Sequence, residues 1–237
     1  LELKSGPYIF EGLKNFLIQN NLMRAEWNPL NILIQNASTV GLLDLKILPN
    51  NKENEFIFFD NLVNKKFKFL YLLGSDNLDF KKNNEFIVYQ GSHGDRGAEI
   101  ADVILPSATY TEQNGLYENL EGRVQEGKKA SYPIGESLED WKIFNLIIKK
   151  ISDKKNLTNF DQLRKEVLNS ISNFTKINEL PKSSQIQSEN IQTNFESEEV
   201  IVRELDYYYT NSISRASKTM SECRHISQNI KKNGTNN

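Results

Sequence analysis

Phe67-Lys68-Phe69-Leu70-Tyr71-Leu72-Leu73, followed at once by Gly74-Ser75-Asp76, is the stretch that decides the fold. Only Lys68 interrupts its apolar character, and it is too short for a buried helix. A run of this kind that stops at glycine reads as a strand buried on both faces, the type found in parallel sheets. Two more runs have the same character. Phe86 to Tyr89 leads into Gln90-Gly91, and Asp102 to Leu105 stops at Pro106. The spacings leave room only for short helices or loops, so the strands predict one largely parallel α/β sheet whose carboxyl ends feed polar loops. Leu116 to Asn119 and Arg123 to Gln125 flank Glu121-Gly122 and predict a small hairpin beyond it.

Outward from that sheet, helices are expected on both sides. Upstream, Gly6-Pro7 followed by Ile9, Phe10, Leu13, Phe16 and Leu17 predicts a helix with proline in its first turn and one apolar face, ending near Asn20-Asn21. Leu30 to Ile34 predicts a short buried strand, Leu42 to Leu45 a short helix, Pro49 to Glu55 a surface loop, and Phe56 to Phe59 a further apolar stretch of open type. Downstream, Ser137 with Asp140 resembles a capping box ahead of Leu138, Trp141, Phe144, Ile148 and Ile151 at helical spacing. Phe160, Leu163, Val167 and Ile171 predict a second helix capped by Thr158 or Asn159. Pro181 to Glu199 is Ser, Gln, Asn and Glu with isolated apolar residues, too little burial to offset its ordering entropy, and reads as a linker. Ile213, Ala216, Met220, Cys223, Ile226 and Ile230 then form the stripe of a terminal amphipathic helix, capped by Asn211 or Ser212, that wants a docking surface.

Composition excludes several classes. With 29 basic and 31 acidic residues interleaved along 237, there is no basic stripe to displace counterions from a nucleic acid. No run approaches the roughly 18 to 20 apolar residues that span a bilayer. The single cysteine, Cys223, rules out an internal disulfide and cannot supply a four-thiolate iron–sulfur or zinc site from this chain alone. From Leu1 onward there is neither a signal-peptide nor a transit-peptide pattern. Abundant Asn, Lys, Ile and Phe match an A+T-rich genome, such as an organellar one.

The loop Gly91-Ser92-His93-Gly94-Asp95-Arg96-Gly97 is the most suggestive candidate site. Its glycines permit close backbone approach, its amides could hold an anion, and open α/β sheets bind ligands at the carboxyl ends of their strands. His93 and Asp95 could form an acid–base pair. The plainer reading is a tight connection in which the glycines supply positive φ and Asp95 caps the next turn or pairs with Arg96. Glu99, Asp102, Glu112, Glu118 and Glu121 invite a paired-carboxylate reading but suit a solvated rim better, with Asp102 at the start of a strand. His93 and His225 lie too far apart in sequence to suggest a metal site. Cys223 on its apolar stripe behaves as a small hydrophobe, and Tyr207-Tyr208-Tyr209 reads as an interface anchor rather than a base-stacking platform.

The block Val88-Tyr89-Gln90-Gly91-Ser92-His93-Gly94-Asp95, then Ile100-Ala101-Asp102-Val103-Ile104-Leu105-Pro106, Tyr110-Thr111-Glu112, Asn119, Glu121-Gly122-Arg123 and Gln125 resembles the carboxyl-terminal half of the largest iron–sulfur subunit family of respiratory complex I. The Ala-Asp-Val-Ile-Leu-Pro element is shared with the wider molybdopterin oxidoreductase superfamily and speaks for the fold only. Asn31-Ile32-Leu33 with Ala37-Ser38 and Leu43-Asp44-Leu45 is similar to an upstream segment of the family. Thr210-Asn211-Ser212-Ile213-Ser214-Arg215-Ala216-Ser217 with Thr219-Met220 and Cys223 is similar to the terminal tail of its mitochondrial members.

That resemblance implies part of a molybdopterin-oxidoreductase-like α/β domain over residues 1–152, a helical follow-on over 153–180, a polar linker over 181–205 and a tail with a docking helix over 206–237. It implies a structural role in NADH:ubiquinone oxidoreductase, on the matrix side of the mitochondrial inner membrane. No catalytic residue, cofactor or metal ligand is expected in this chain, with FMN and the iron–sulfur clusters held by partner subunits. Gly91, His93, Gly94 and Asp95 would line the relic of a cofactor pocket. Expected partners are other peripheral-arm subunits, including a separate chain that carries the amino-terminal iron–sulfur part. The competing expectations are a fragment of a molybdopterin-dependent oxidoreductase that still grips its pterin through Gly91–Gly97, and a free-standing nucleotide-binding module.

Overall fold

The computed structural model describes residues 5–24, 29–34, 36–47, 61–62, 64, 66–75, 81–152, 157, 159–171, 176–181, 194–197, 199 and 206–234. In chain order its elements are α1 (Gly6–Gln19), α2 (Thr39–Asp44), β1 (Phe69–Leu73), β2 (Phe86–Gly91), α3 (Arg96–Glu99), β3 (Val103–Pro106), β4 (Gly115–Glu118), β5 (Val124–Gly127), α4 (Asp140–Ile151), α5 (Phe160–Ser170), α6 (Ser212–Ala216) and α7 (Lys218–Gly234). The chain is α/β, as the strand pattern predicts: β1, β2 and β3 are parallel neighbours in that order.

Register decides which side chains meet. Tyr71 lies opposite Val88, and Val88 opposite Val103, so alternate residues of the three strands share a face. One face carries Leu70, Leu72, Ile87 and Tyr89, which pack with Leu62 into the core, flanked by Phe67, Ala98, Ile100 and Ala101. Central β2 is covered on both sides over Ile87 to Gln90. On the other face, Tyr71 stacks on Phe144 of α4 with centroids 5.6 Å apart, and Gln90 donates to Asp140 at 2.6 Å. Because Asp140 sits at the level of Gln90 and Phe144 at the level of Tyr71, α4 runs antiparallel to the strands. At the amino end of that face, Phe69 and Phe86 stack on each other and remain about half exposed.

Asp102 ties β3 to the sheet, its carboxylate accepting from the Ile87 amide at 2.8 Å and from Lys82. The predicted hairpin forms from β4 and β5, which are antiparallel. Asn119 Oδ1 accepts from the amides of Glu121 and Arg123, and Gly122 takes φ +79°, a left-handed value that glycine adopts without a Cβ penalty. α5 is capped by Asn159, which accepts from Gln162 N at 2.9 Å, and is tied to β5 by an Arg164–Glu126 pair at 3.1 Å.

Four expectations are corrected. Leu30 to Ile34 forms no strand, and Leu33 is 86% exposed, so the run is not core. On α1 the stripe Ile9, Leu13 and Phe16 is exposed, whereas the buried positions are Gly6, Lys14 and Leu17, with Lys14 neutralised by Glu11 at 2.7 Å. The Ser137 capping box does not form: Ser137 Oγ donates to Ile134 O, α4 starts at Asp140, and its carboxylate serves the sheet instead. The tail is two helices, because Ser217 adopts extended backbone between α6 and α7. Pro106 also lies within β3, on an edge strand where its missing N–H costs no ladder bond. Pro49 to Glu55, Phe56 to Phe59 and most of the 181–205 linker lie outside the described residues.

Candidate functional site

Beyond the end of β2, residues 91–97 wrap around one side chain. The Tyr89 ring lies beneath the loop, 2% exposed, and its hydroxyl donates to the His93 carbonyl at 2.8 Å. A Cβ at Gly91 would overlap the Tyr89 hydroxyl, and one at Gly97 would lie 2.9 Å from both the Ser75 carbonyl and the ring. Neither glycine has positive φ, so the expectation of left-handed turns here is corrected: these glycines make room for an aromatic ring. His93 Nδ1 turns to Ser92 Oγ at 3.0 Å, while Asp95 faces elsewhere, so the two do not pair.

Asp95 is the N-cap of α3, accepting from the Arg96 amide at 2.8 Å through Oδ1. Its Oδ2 accepts from Arg215 Nε of α6, a residue 120 positions later in the chain. Burial alone would raise the Asp95 carboxyl, but the hydrogen bonds from Arg215 and the Arg96 amide outweigh it and hold the group below its ordinary value. α6 is set for this contact by a reciprocal cap: Asn211 Oδ1 accepts from Ser214 N at 2.9 Å and Ser214 Oγ accepts from Asn211 N at 3.1 Å.

A cleft of about 330 Å³ opens at the carboxyl ends of the strands, walled by Gly74, Ser92, the Ser107 to Tyr110 segment and, from the tail, Ser212 and Ile213. Its floor is a closed polar network. Gln90, fully buried, accepts from Tyr71 OH and donates to Asp140; Gln113 donates to the other Asp140 oxygen at 2.9 Å and accepts from the Asp140 amide at 3.1 Å. Both carboxylate oxygens are thereby partnered, and the network acts as a structural joint between β2, α4 and the segment after β3.

The other acidic candidates scatter. Glu112 caps the turn at Thr109 N, Asp102 pins β3, and Glu99 and Glu121 are exposed. Glu118 departs from the solvated-rim expectation: it is 9% exposed at the end of β4, against α2. Burial first, and the neighbouring Asp44 carboxylate second, push its carboxyl up to about 7. Among the described residues no group of three or more His, Cys, Asp or Glu could hold a metal ion, and no helix is long and apolar enough to cross a membrane. Sequence reasoning missed Tyr89, Gln113, Asp140 and Arg215 as site residues. A lone Gln90 in an apolar strand was the available signal for the polar network.

Compared with known proteins, residues 2–150 match the family model described as molybdopterin oxidoreductase. The chain belongs to the molybdopterin oxidoreductase family. Residues 172–223 match a second model, that of the C-terminal region of an NADH-ubiquinone oxidoreductase subunit, which covers the tail as well. The chain is 35% identical over 231 residues to the NADH-ubiquinone oxidoreductase 75 kDa subunit of Reclinomonas americana, covering 95% of this chain and 33% of the relative. To the mitochondrial NADH dehydrogenase [ubiquinone] iron-sulfur protein 1 of Solanum tuberosum it is 32% identical over 220 residues, covering 91% and 28%. To the mitochondrial NADH-ubiquinone oxidoreductase 78 kDa subunit of Candida albicans it is 34% identical over 238 residues, covering 94% and 31%. Within its family the chain is thus of the complex I 75 kDa-subunit type, spanning about a third of the length of these curated relatives.

The family name implies a molybdopterin, and the glycine loop does not fit one. The close approach that Gly91 and Gly97 permit is taken by Tyr89, and the first amide of α3 already donates to Asp95. The carboxylate at the mouth would repel a phosphate, and the Arg215 guanidinium that could attract one is engaged by Asp95.

Proposed function

We propose that this chain is a scaffold of the peripheral arm of complex I and holds no redox centre of its own. The observation that carries the reading is Tyr89 in the glycine cradle: the loop that could grip a cofactor is packed around a side chain of its own strand. Residues 91, 93, 94 and 95 are then the rim of a relic pocket, and electron transfer proceeds through FMN and iron–sulfur clusters of partner subunits, on the matrix side of the mitochondrial inner membrane. In that assembly residues 1–152 provide the α/β platform, 153–180 its helical follow-on, 181–205 a linker and 206–237 the tail. The half-exposed Phe69–Phe86 stack supports a neighbour on that face, which we assign to a separate polypeptide carrying the cluster-binding part of the subunit.

Native purification through this chain tests the reading. Mass spectrometry of what copurifies should find peripheral-arm subunits of NADH:ubiquinone oxidoreductase and a cysteine-rich partner. Elemental analysis should find iron in the assembly and no molybdenum or tungsten stoichiometric with this chain; stoichiometric molybdenum or tungsten bound by residues 1–152 would sink the scaffold. A monodisperse, cooperatively melting monomer from residues 1–237 alone would count against the separate partner.

A further inference from the structure

We infer that the tail acts as an internal strap, latched by Arg215 on Asp95, that closes the mouth of the relic pocket with Ser212 and Ile213. Three separate features converge on this. α6 is short, yet both its cap partners are satisfied within it, so it arrives as a rigid unit. Its apolar Ile213 and its Ser212 form one wall of the cleft, opposite Gly74 and Ser92 at the strand ends. Arg215, one turn along, reaches the carboxylate that caps α3, and the pair is largely shielded, with side-chain exposures of 18% and 23%. A shielded guanidinium–carboxylate pair is costly to break, since either charge left alone would lie desolvated.

The strap is anchored again on its far side. Arg224 of α7 binds Asp206 ahead of α6 and lies over the Tyr209 ring at 4.7 Å, while Arg215 also donates to the Tyr209 carbonyl at 3.4 Å. Residues 206 to 224 therefore form a closed loop of contacts, and Arg215–Asp95 is the ion pair that links it to the sheet domain among the described residues. The tail thus does from within what a bound group would do from without: it completes the carboxyl-end wall and holds the 91–97 loop in place. The inference rests on the scaffold reading only in treating the pocket as free of cofactor.

Hydrogen exchange with mass spectrometry on the native assembly, purified with variants of this chain, tests it. Asp95→Asn keeps an N-cap for α3, since asparagine caps as well as aspartate, but removes the charge partner of Arg215. Arg215→Ala and Asp95→Asn should each speed exchange in residues 91–97 and 212–217 about tenfold and leave residues 87–90 unchanged; the double variant should do no more than either alone. Arg215→Lys, which keeps the charge without the fork, should fall between. The strap is overturned if the tail loosens while residues 91–97 do not, if the two single effects add, or if residues 87–90 accelerate equally even in Arg215→Lys. Molybdenum recovered with the chain would instead overturn the scaffold reading and leave these exchange outcomes to be read on their own.

Discussion

The β1–β2–β3 sheet and the tail after Asp206 meet at one loop, yet the sheet is held by burial of Leu70, Leu72, Ile87 and Tyr89, and the tail by two ion pairs and a reciprocal cap. Apolar burial is indifferent to pH and salt and fails as a unit, because removing any one member leaves a cavity in all its neighbours. Charged links between partly exposed groups act one by one, feel salt, and can open without unfolding what they touch. The same chain therefore carries a rigid platform and a releasable cover. Ile87→Ala is the hardest blow to the first: Ile87 is 0% exposed, and its truncation should cost about 2–5 kcal/mol, seen as a lower thermal midpoint of the full chain in its assembly, with sheet and tail lost together. A drop below about 1 kcal/mol would mean that this face is not the core.

The joint between the two regions is polar, and Asp140→Ala probes it next. The change removes both acceptors of the Gln90 and Gln113 side-chain amides, leaving buried donors without partners at a cost of about 1–3 kcal/mol. The loss should appear in the same melt as for Ile87→Ala, and hydrogen exchange should place it at residues 88–90 and 108–113. If exchange rises only in the tail, the network belongs to the cover and not to the platform.

The platform was legible in the sequence because short apolar runs ending at Gly74, Gly91 and Pro106 have few other readings, and the hairpin because Gly122 and Asn119 supply the turn chemistry it needs. Helical faces were less so. On α1 the apolar stripe points outward, since periodicity shows that a face exists but not what lies against it. The candidate loop was found, but its meaning was not: glycine spacing reads alike whether the backbone is drawn close to a phosphate or to Tyr89, and only the side chain two residues before Gly91 separates the two. Arg215–Asp95 was beyond reach, because nothing local links positions 120 apart. Ser137 and Asp140 were recognised as a motif and put to a different use, as tertiary bonds to Gln90 and Gln113 outcompeted a cap.

Between platform and tail in expected effect stands Glu118, a buried acid whose contribution depends on pH near neutrality. Folded Glu118 keeps its proton up to about pH 7, whereas an unfolded glutamate releases it near pH 4.3. Over that window the native state binds the extra proton, so stability falls as pH rises from about 4 to 7 and stays at the lower level above it. Glu118→Gln removes the dependence and can donate to Asp44. The variant should be about 1–2 kcal/mol more stable than its parent at pH 8 and equal to it at pH 4, water near the hairpin screening the rest. Thermal melts at the two pH values decide it; a variant equally stabilised at both would mean packing, not protonation, governs the α2–β4 contact.

The smallest effect belongs to Arg224, and it is the most discriminating for the comparison. Its guanidinium binds Asp206 and covers the Tyr209 ring, with both charged side chains about one-third exposed. A pair this open contributes about 0.3–1 kcal/mol, part of it ionic and part the cation–π contact. Arg224→Ala should leave the thermal midpoint within a degree or so of the parent, because the tail opens without the sheet. Exchange at residues 206–210 should rise about two- to fivefold at low salt, the range that free energy implies. At about 1 M salt the difference should shrink but persist, since screening removes the ionic part and leaves the stacking. A midpoint drop like that of Ile87→Ala would show that tail and sheet melt as one unit, and the distinction between platform and cover would have to be given up.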